Sequence, residues 1–144
     1  MSVSHILKLK GREVITALPS ATVKAVAEVL AAKRIGAVVI SSGGGKIEGI
    51  VGEREIVRAV ASAGAAALDK PVSTVMTTNV RTCNEEDSEM GLMALMTQHR
   101  IRHLPVATNG KLSGMISIGD VVKFRIEEIE RDAADMKAYI AGSS

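Results

Sequence analysis

The 144 residues are 47 % apolar but include one Phe, one Tyr and no Trp; they predict one compact body, or two small interlocked repeats, with a core of Val, Ile, Leu, Met and Ala, and exclude a catalytic barrel of about 250 residues. A net charge of +2 from scattered basic residues argues against a nucleic-acid partner, and the lack of any apolar run near the roughly 18 residues of a spanning helix argues against a membrane. A lone Cys83 cannot form an internal disulfide and no charged leader with an apolar core opens the chain, so a reducing, cytoplasmic location is expected.

In chain order, the first predicted element is a short β-rich segment, Val14-Ile15-Thr16. A helix follows with Thr22 as N-cap and Val23, Val26, Ala27 and Leu30 at helical spacing. Two strands, Ala37-Val38-Val39-Ile40 and Lys46 to Val51, flank Ser41-Ser42-Gly43-Gly44-Gly45, and a second helix begins near Glu53. A linker, residues 61–67, leads to Lys70-Pro71-Val72, and the order then repeats. Val80-Arg81-Thr82 is β-rich, Ser88 caps a helix carrying Met90, Leu92, Met93 and Met96, and Leu104-Pro105-Val106 and Lys111 to Ser117 flank the hairpin signal Thr108-Asn109-Gly110. A final helix begins near Gly119.

The two copies lie about 65 residues apart, most visibly where Gly45-Lys46-Ile47-Glu48-Gly49-Ile50-Val51 matches Gly110-Lys111-Leu112-Ser113-Gly114-Met115-Ile116. Each is a β-α-β-β-α unit of roughly 60 residues, too small to bury an adequate core alone. The chain therefore reads as an α/β (α+β) fold: residues 1–66 a first repeat with its N-terminal segment, 67–124 a second, packed sheet to sheet, and 125–144 a C-terminal helix extension. Pseudo-symmetric packing predicts two related clefts between the halves. On the extension, Val122, Ile126, Ile129, Ala133, Met136 and Ile140 alternate spacings of four and three, a short heptad seam. This helix either folds back on its own core or pairs with another subunit, and a homodimer is predicted in both cases.

Val75-Met76-Thr77, then Arg102-His103-Leu104-Pro105-Val106, then Gly114 to Val122 resemble the signature of a CBS domain, named after cystathionine β-synthase. Gly49 to Val57 shows the same frame more weakly. The resemblance implies a paired, non-catalytic module that binds adenosyl ligands such as AMP, ATP, NAD(H) or S-adenosylmethionine, dimerises into a flat disc, and regulates a partner protein whose identity the sequence does not name.

It also points to residues. Asp120 matches the family's ribose-binding carboxylate, which accepts two hydroxyl hydrogen bonds; the other reading, compatible with the first, is a cap on the last helix. Ser117 stands where a hydroxyl meets ribose or the first phosphate. Arg102 and His103 open a strand where basic residues face phosphate, although neighbouring strand residues point to opposite sides. Val80, Thr82, Pro105, Val106 and Ile116 are expected to form the adenine slot, or simply core. The first half departs from this pattern: Gly52 replaces the hydroxyl, Glu55 the Asp, and Gly36-Ala37 stand where the second has Arg102-His103. Two non-equivalent sites follow, the Asp120 site the stronger, with Glu55 able to hold a ribose in the other.

Other signals carry less. Gly43-Gly44-Gly45-Lys46 lacks the Ser or Thr and the helix that a phosphate loop needs. His99 and His103 have the spacing of a helical zinc pair, but Leu104-Pro105-Val106 reads as strand and no Glu supports them. Cys83 reads as a buried packing residue. No Ser-His-Asp set is recognisable, so an enzyme is not expected. The rival reading is a dimerisation scaffold of the same fold without a physiological ligand.

Overall fold

The computed structural model describes residues 2–143. Thr22 Oγ1 accepts the Ala25 N–H at 3.0 Å and starts a helix at Val23–Lys33; the second half starts its counterpart at Glu89–His99 the same way, after Ser88, whose Oγ accepts the Gly91 N–H at 3.0 Å. With the N-terminal helix Val3–Lys10 as α1, these are α2 and α4. Both end on an arginine in the left-handed region, Arg34 (φ 54) and Arg100 (φ 53), whose N–H returns to Leu30 and Met96 carbonyls. The chain then turns directly into a strand.

In the first half, β1 (Thr16–Ala17) runs parallel to β2 (Ala37–Ile40), which pairs antiparallel with β3 (Gly49–Gly52). In the second, β4 (His103–Thr108) and β5 (Lys111–Ser117) form the hairpin, turning through Asn109 (φ 53) and Gly110 (φ 77). The β-rich segment expected at Val80-Arg81-Thr82 forms no strand. Only Cys83 joins β4, donating to the Pro105 carbonyl and accepting from Ala107, and the residues before it find no ladder partner. Helices α3 (Glu53–Ala63) and α5 (Ile118–Ser143) leave directly from the ends of β3 and β5. The result is two β-α-β-β-α repeats whose small sheets pack together, with a long C-terminal helix.

The cores are composed across the repeats. Val3, Ile6 and Leu7 of α1 pack with Leu92, Met96, Leu104, Val106, Ile116, Val121 and Phe124, all in the second half. Val72, at the start of the second repeat, packs instead with Val26, Leu30, Val38, Ile40 and Val51 of the first. The two segments are themselves copies: Val3-Ser4-His5-Ile6-Leu7 corresponds to Val72-Ser73-Thr74-Val75-Met76. Each lies over a matching glycine. A Cβ on Gly114 would meet Leu7 Cδ2 at 2.8 Å, and one on Gly49 would collide with Met76 Sδ. Thus each half is closed by the segment in front of the other, and complete burial of Val3 and near-complete burial of Leu7, about 1.5–3 kcal/mol apiece, hold the halves together.

α5 rests on the body through Val121 and Phe124 and then projects from it; it does not fold back. Arg125 fixes its departure, pairing with Glu128 at 2.6 Å and lying 3.8 Å from Glu89, a buried acid at the start of α4. Among the described residues no helix is long and apolar enough to cross a membrane.

Candidate functional site

Because both repeats place a strand-to-helix junction and a strand start on the same side, these four turns converge between the halves. They enclose a cleft of about 660 Å³, within the range of small-molecule sites. One side is Gly36, Ala37, Gly52, Glu53, Arg54, Glu55 and Arg58; the other is His99, Arg102, His103, Ser117, Ile118 and Gly119; Thr77, Asn79, Val80 and Arg81 close the end. The expected residues Glu55, Val80, Arg102, His103 and Ser117 are therefore brought together. Thr82 is exposed outside the lining, and Pro105, Val106 and Ile116 also lie outside it, buried in β4 and β5.

Asp120 sits one turn behind the cleft wall. Its Oδ2 accepts the Ser117 N–H at 2.9 Å while Ser117 Oγ accepts the Asp120 N–H at 3.1 Å, a reciprocal cap for α5. The same oxygen meets Lys10 Nζ at 2.5 Å, and Lys10 also donates to the Met115 carbonyl at 2.8 Å. Burial on its own would raise the Asp120 carboxyl, but the Lys10 and Ser117 hydrogen bonds and the Lys10 charge outweigh it and hold the group below its ordinary range. The first half repeats only part of this arrangement. Glu55 Oε1 accepts the Gly52 N–H at 2.8 Å, with no hydroxyl to answer it.

The ring of His103 crosses to the other half and covers Gly36, where a Cβ would lie 2.6 Å from its Cε1. A Cβ on Gly52 would in turn meet the Gly36 carbonyl at 2.8 Å. The absence of side chains at Gly36 and Gly52 thus has a packing cause. Burial, then the nearby Arg102 and Lys10 charges, push His103 below its ordinary value against the opposing pull of Asp120 and Glu53, which favours the neutral ring.

Sequence reasoning had the first half stripped of phosphate-facing charge at Gly36-Ala37. The structure supplies cations there from another element, since Arg54 and Arg58, one turn apart on α3, face the cleft. Arg58 and Arg54 also line a shallower groove of about 400 Å³ with Arg102. Sequence reasoning missed both, although their i, i+4 spacing beside Glu55 could have identified them. Arg81 and His99 were missed for a different reason, because their positions depend on how the halves meet. Among the described residues Arg54, Arg58, Arg81 and Arg102 form no ion pair, and no group of three or more His, Cys, Asp or Glu is placed to hold a metal.

The CBS domain family matches residues 3–62 and 72–127. The mitochondrial CBS domain-containing protein CBSX3 of Arabidopsis thaliana is 30 % identical over 149 residues, which span 98 % of this chain and 72 % of that protein. The crystal structure of a CBS-domain containing protein of Agrobacterium tumefaciens superposes with a TM-score of 0.84 at 46 % identity, covering 87 % of this chain and 99 % of that one. A CBS domain protein of Pyrobaculum aerophilum, solved in complex with AMP, superposes with a TM-score of 0.73 at 31 % identity over 83 % of this chain and 89 % of its own.

Proposed function

The chain belongs to the CBS domain family, with two tandem copies, and from that premise we propose that it is a non-catalytic regulatory module binding an adenosine nucleotide, AMP, ATP or NAD(H), between its halves. The observation that carries this reading is electrostatic: four guanidinium groups without carboxylate partners converge on one cleft whose lining acids are Glu53 and Glu55. Such a site favours a ligand with several negative charges, and Arg forks onto phosphate oxygens with two hydrogen bonds at once. The AMP bound by the Pyrobaculum aerophilum relative is a ligand of this class.

In this reading Arg102 and His103, with Arg54, Arg58 and Arg81, take the phosphates. Asp120 and Glu55 take the ribose hydroxyls, Ser117 takes a hydroxyl or the first phosphate, and Val80 flanks the adenine, with Pro105, Val106 and Ile116 as the floor behind it. A ligand touching both halves shifts the first turns of α3 and α5, provided that it binds the two arrangements with different affinity. The output is a changed surface offered to a regulated protein by a cytoplasmic homodimer.

One observation favours the scaffold reading instead: Asp120 is already held by Lys10 and Ser117. Calorimetric titration with AMP, ATP, NADH and S-adenosylmethionine separates the two. Binding of the phosphorylated ligands, weakened roughly tenfold to a hundredfold by Arg102→Ala, supports the sensor, since a hydrogen bond to a charged group contributes about 1.5–3 kcal/mol. Flat titrations with all four ligands at millimolar concentration would leave the scaffold standing.

A further inference from the structure

The projecting part of α5 exposes Ile126 (51 %), Ile129 (52 %) and Met136 (61 %) along one line with Ala133. At 3.6 residues per turn this line is turned roughly 120° about the helix axis from Val121, Phe124 and Glu128, which face the body. A second helix can therefore cover it without displacing the first contact. In heptad positions Ile126 and Ala133 are a, while Val122, Ile129 and Met136 are d, and the flanking residues carry a pattern. The g positions are Arg125 and Asp132; the e positions five residues on are Glu130 and Lys137.

We infer that α5 forms a parallel, in-register coiled coil with α5 of a second copy of this chain. Charge complementarity decides the partner and the direction. In a parallel pair each g residue faces the following e residue of the other helix, which sets Arg125 against Glu130 and Asp132 against Lys137, each twice. In an antiparallel pair that overlaps the whole seam, with Val122 opposite Ile140, e faces e and g faces g, so Glu130 meets Glu130, Asp132 meets Asp132 and Lys123 meets Lys137, all like-charged. Asp132 and Lys137 form no ion pair among the described residues, and Arg125, although bonded to Glu128, is half exposed with donors to spare. The pairing aligns the two bodies side by side with equivalent halves adjacent. It rests on the self-association proposed above and fixes its mode.

Light scattering on the full chain, with variants at Asp132 and Lys137, tests both. A dimer is expected, weakened about tenfold by Asp132→Lys, which turns two attractions into two repulsions, and restored by adding Lys137→Asp. Oxidising the Ile129→Cys variant is expected to link the dimer covalently, because d positions face one another in register; the native Cys83, buried with its thiol pushed up to about 12, does not compete. A monomer at high micromolar concentration would overturn the self-association and the coiled coil together. A dimer that ignores the charge exchange, or that crosslinks only when Ile129→Cys is mixed with Ala133→Cys, would overturn the parallel mode alone.

Discussion

At the scale of single residues, the asymmetry between the two repeats follows from two close approaches. His103 needs the space over Gly36, and the Gly36 carbonyl needs the space over Gly52. Restoring the missing hydroxyl by Gly52→Ser is therefore expected to cost about 1–3 kcal/mol in a denaturant titration, because the obstruction is backbone and cannot swing aside. His103 also makes stability depend on pH. The fold holds it below its ordinary 6.5, so the unfolded chain binds the proton more readily. Stability is expected to be full above that value, to decline as pH falls below it, and to level off once the folded form is protonated as well. His103→Gln is expected to remove this step from the pH profile of the denaturation midpoint; an unchanged profile would mean that another group causes it. Asp120 works with the opposite sign at lower pH. Its depressed carboxyl contributes stability above its ordinary 3.8 that is lost as pH falls through the folded value.

At the scale of elements, the helices, the hairpin and the two strand-to-helix junctions were legible because each has a local cause: Thr22 and Ser88 as caps, Asn109-Gly110 as the turn, Gly52 and Ser117 as helix starts. Arg102, His103, Ser117 and Glu55 reached the cleft for the same reason, since they stand at those junctions. What the chain order concealed was the exchange of closing segments. Val3 to Leu7 and Val72 to Met76 repeat one another, yet each is separated in sequence from the core that it fills, and no local pattern records a long-range partner. Leu7→Ala is accordingly expected to destabilise by about 2–5 kcal/mol, as a central core position does, despite lying seven residues from the N-terminus. A loss below about 1 kcal/mol in the unfolding midpoint would mean that α1 is an accessory to the second half and does not close it. The same exchange places Lys10 on Asp120, a pairing 110 residues apart that no spacing rule contains.

At the scale of the whole molecule, the crossed cores make the cleft a property of both halves, so a ligand in it opposes their separation. Its four guanidiniums, which form no ion pair among the described residues, imply that nucleotide affinity falls as salt rises, since partly exposed charges are screened within a Debye length of about 8–10 Å. Titrations repeated at 50 and 500 mM salt check this, and affinity independent of salt would assign binding to the apolar lining. The helix that starts at Ser117-Ile118 on the cleft wall is also the one that projects from the body, so a rigid element joins the site to the proposed interface between copies. The most direct test of the account is a crystal structure grown with saturating ATP. It is expected to show the adenosine lodged between the halves with its phosphates against Arg102 and the arginines of α3; a cleft without nucleotide in a structure that otherwise diffracts well, or a nucleotide bound elsewhere, would contradict it.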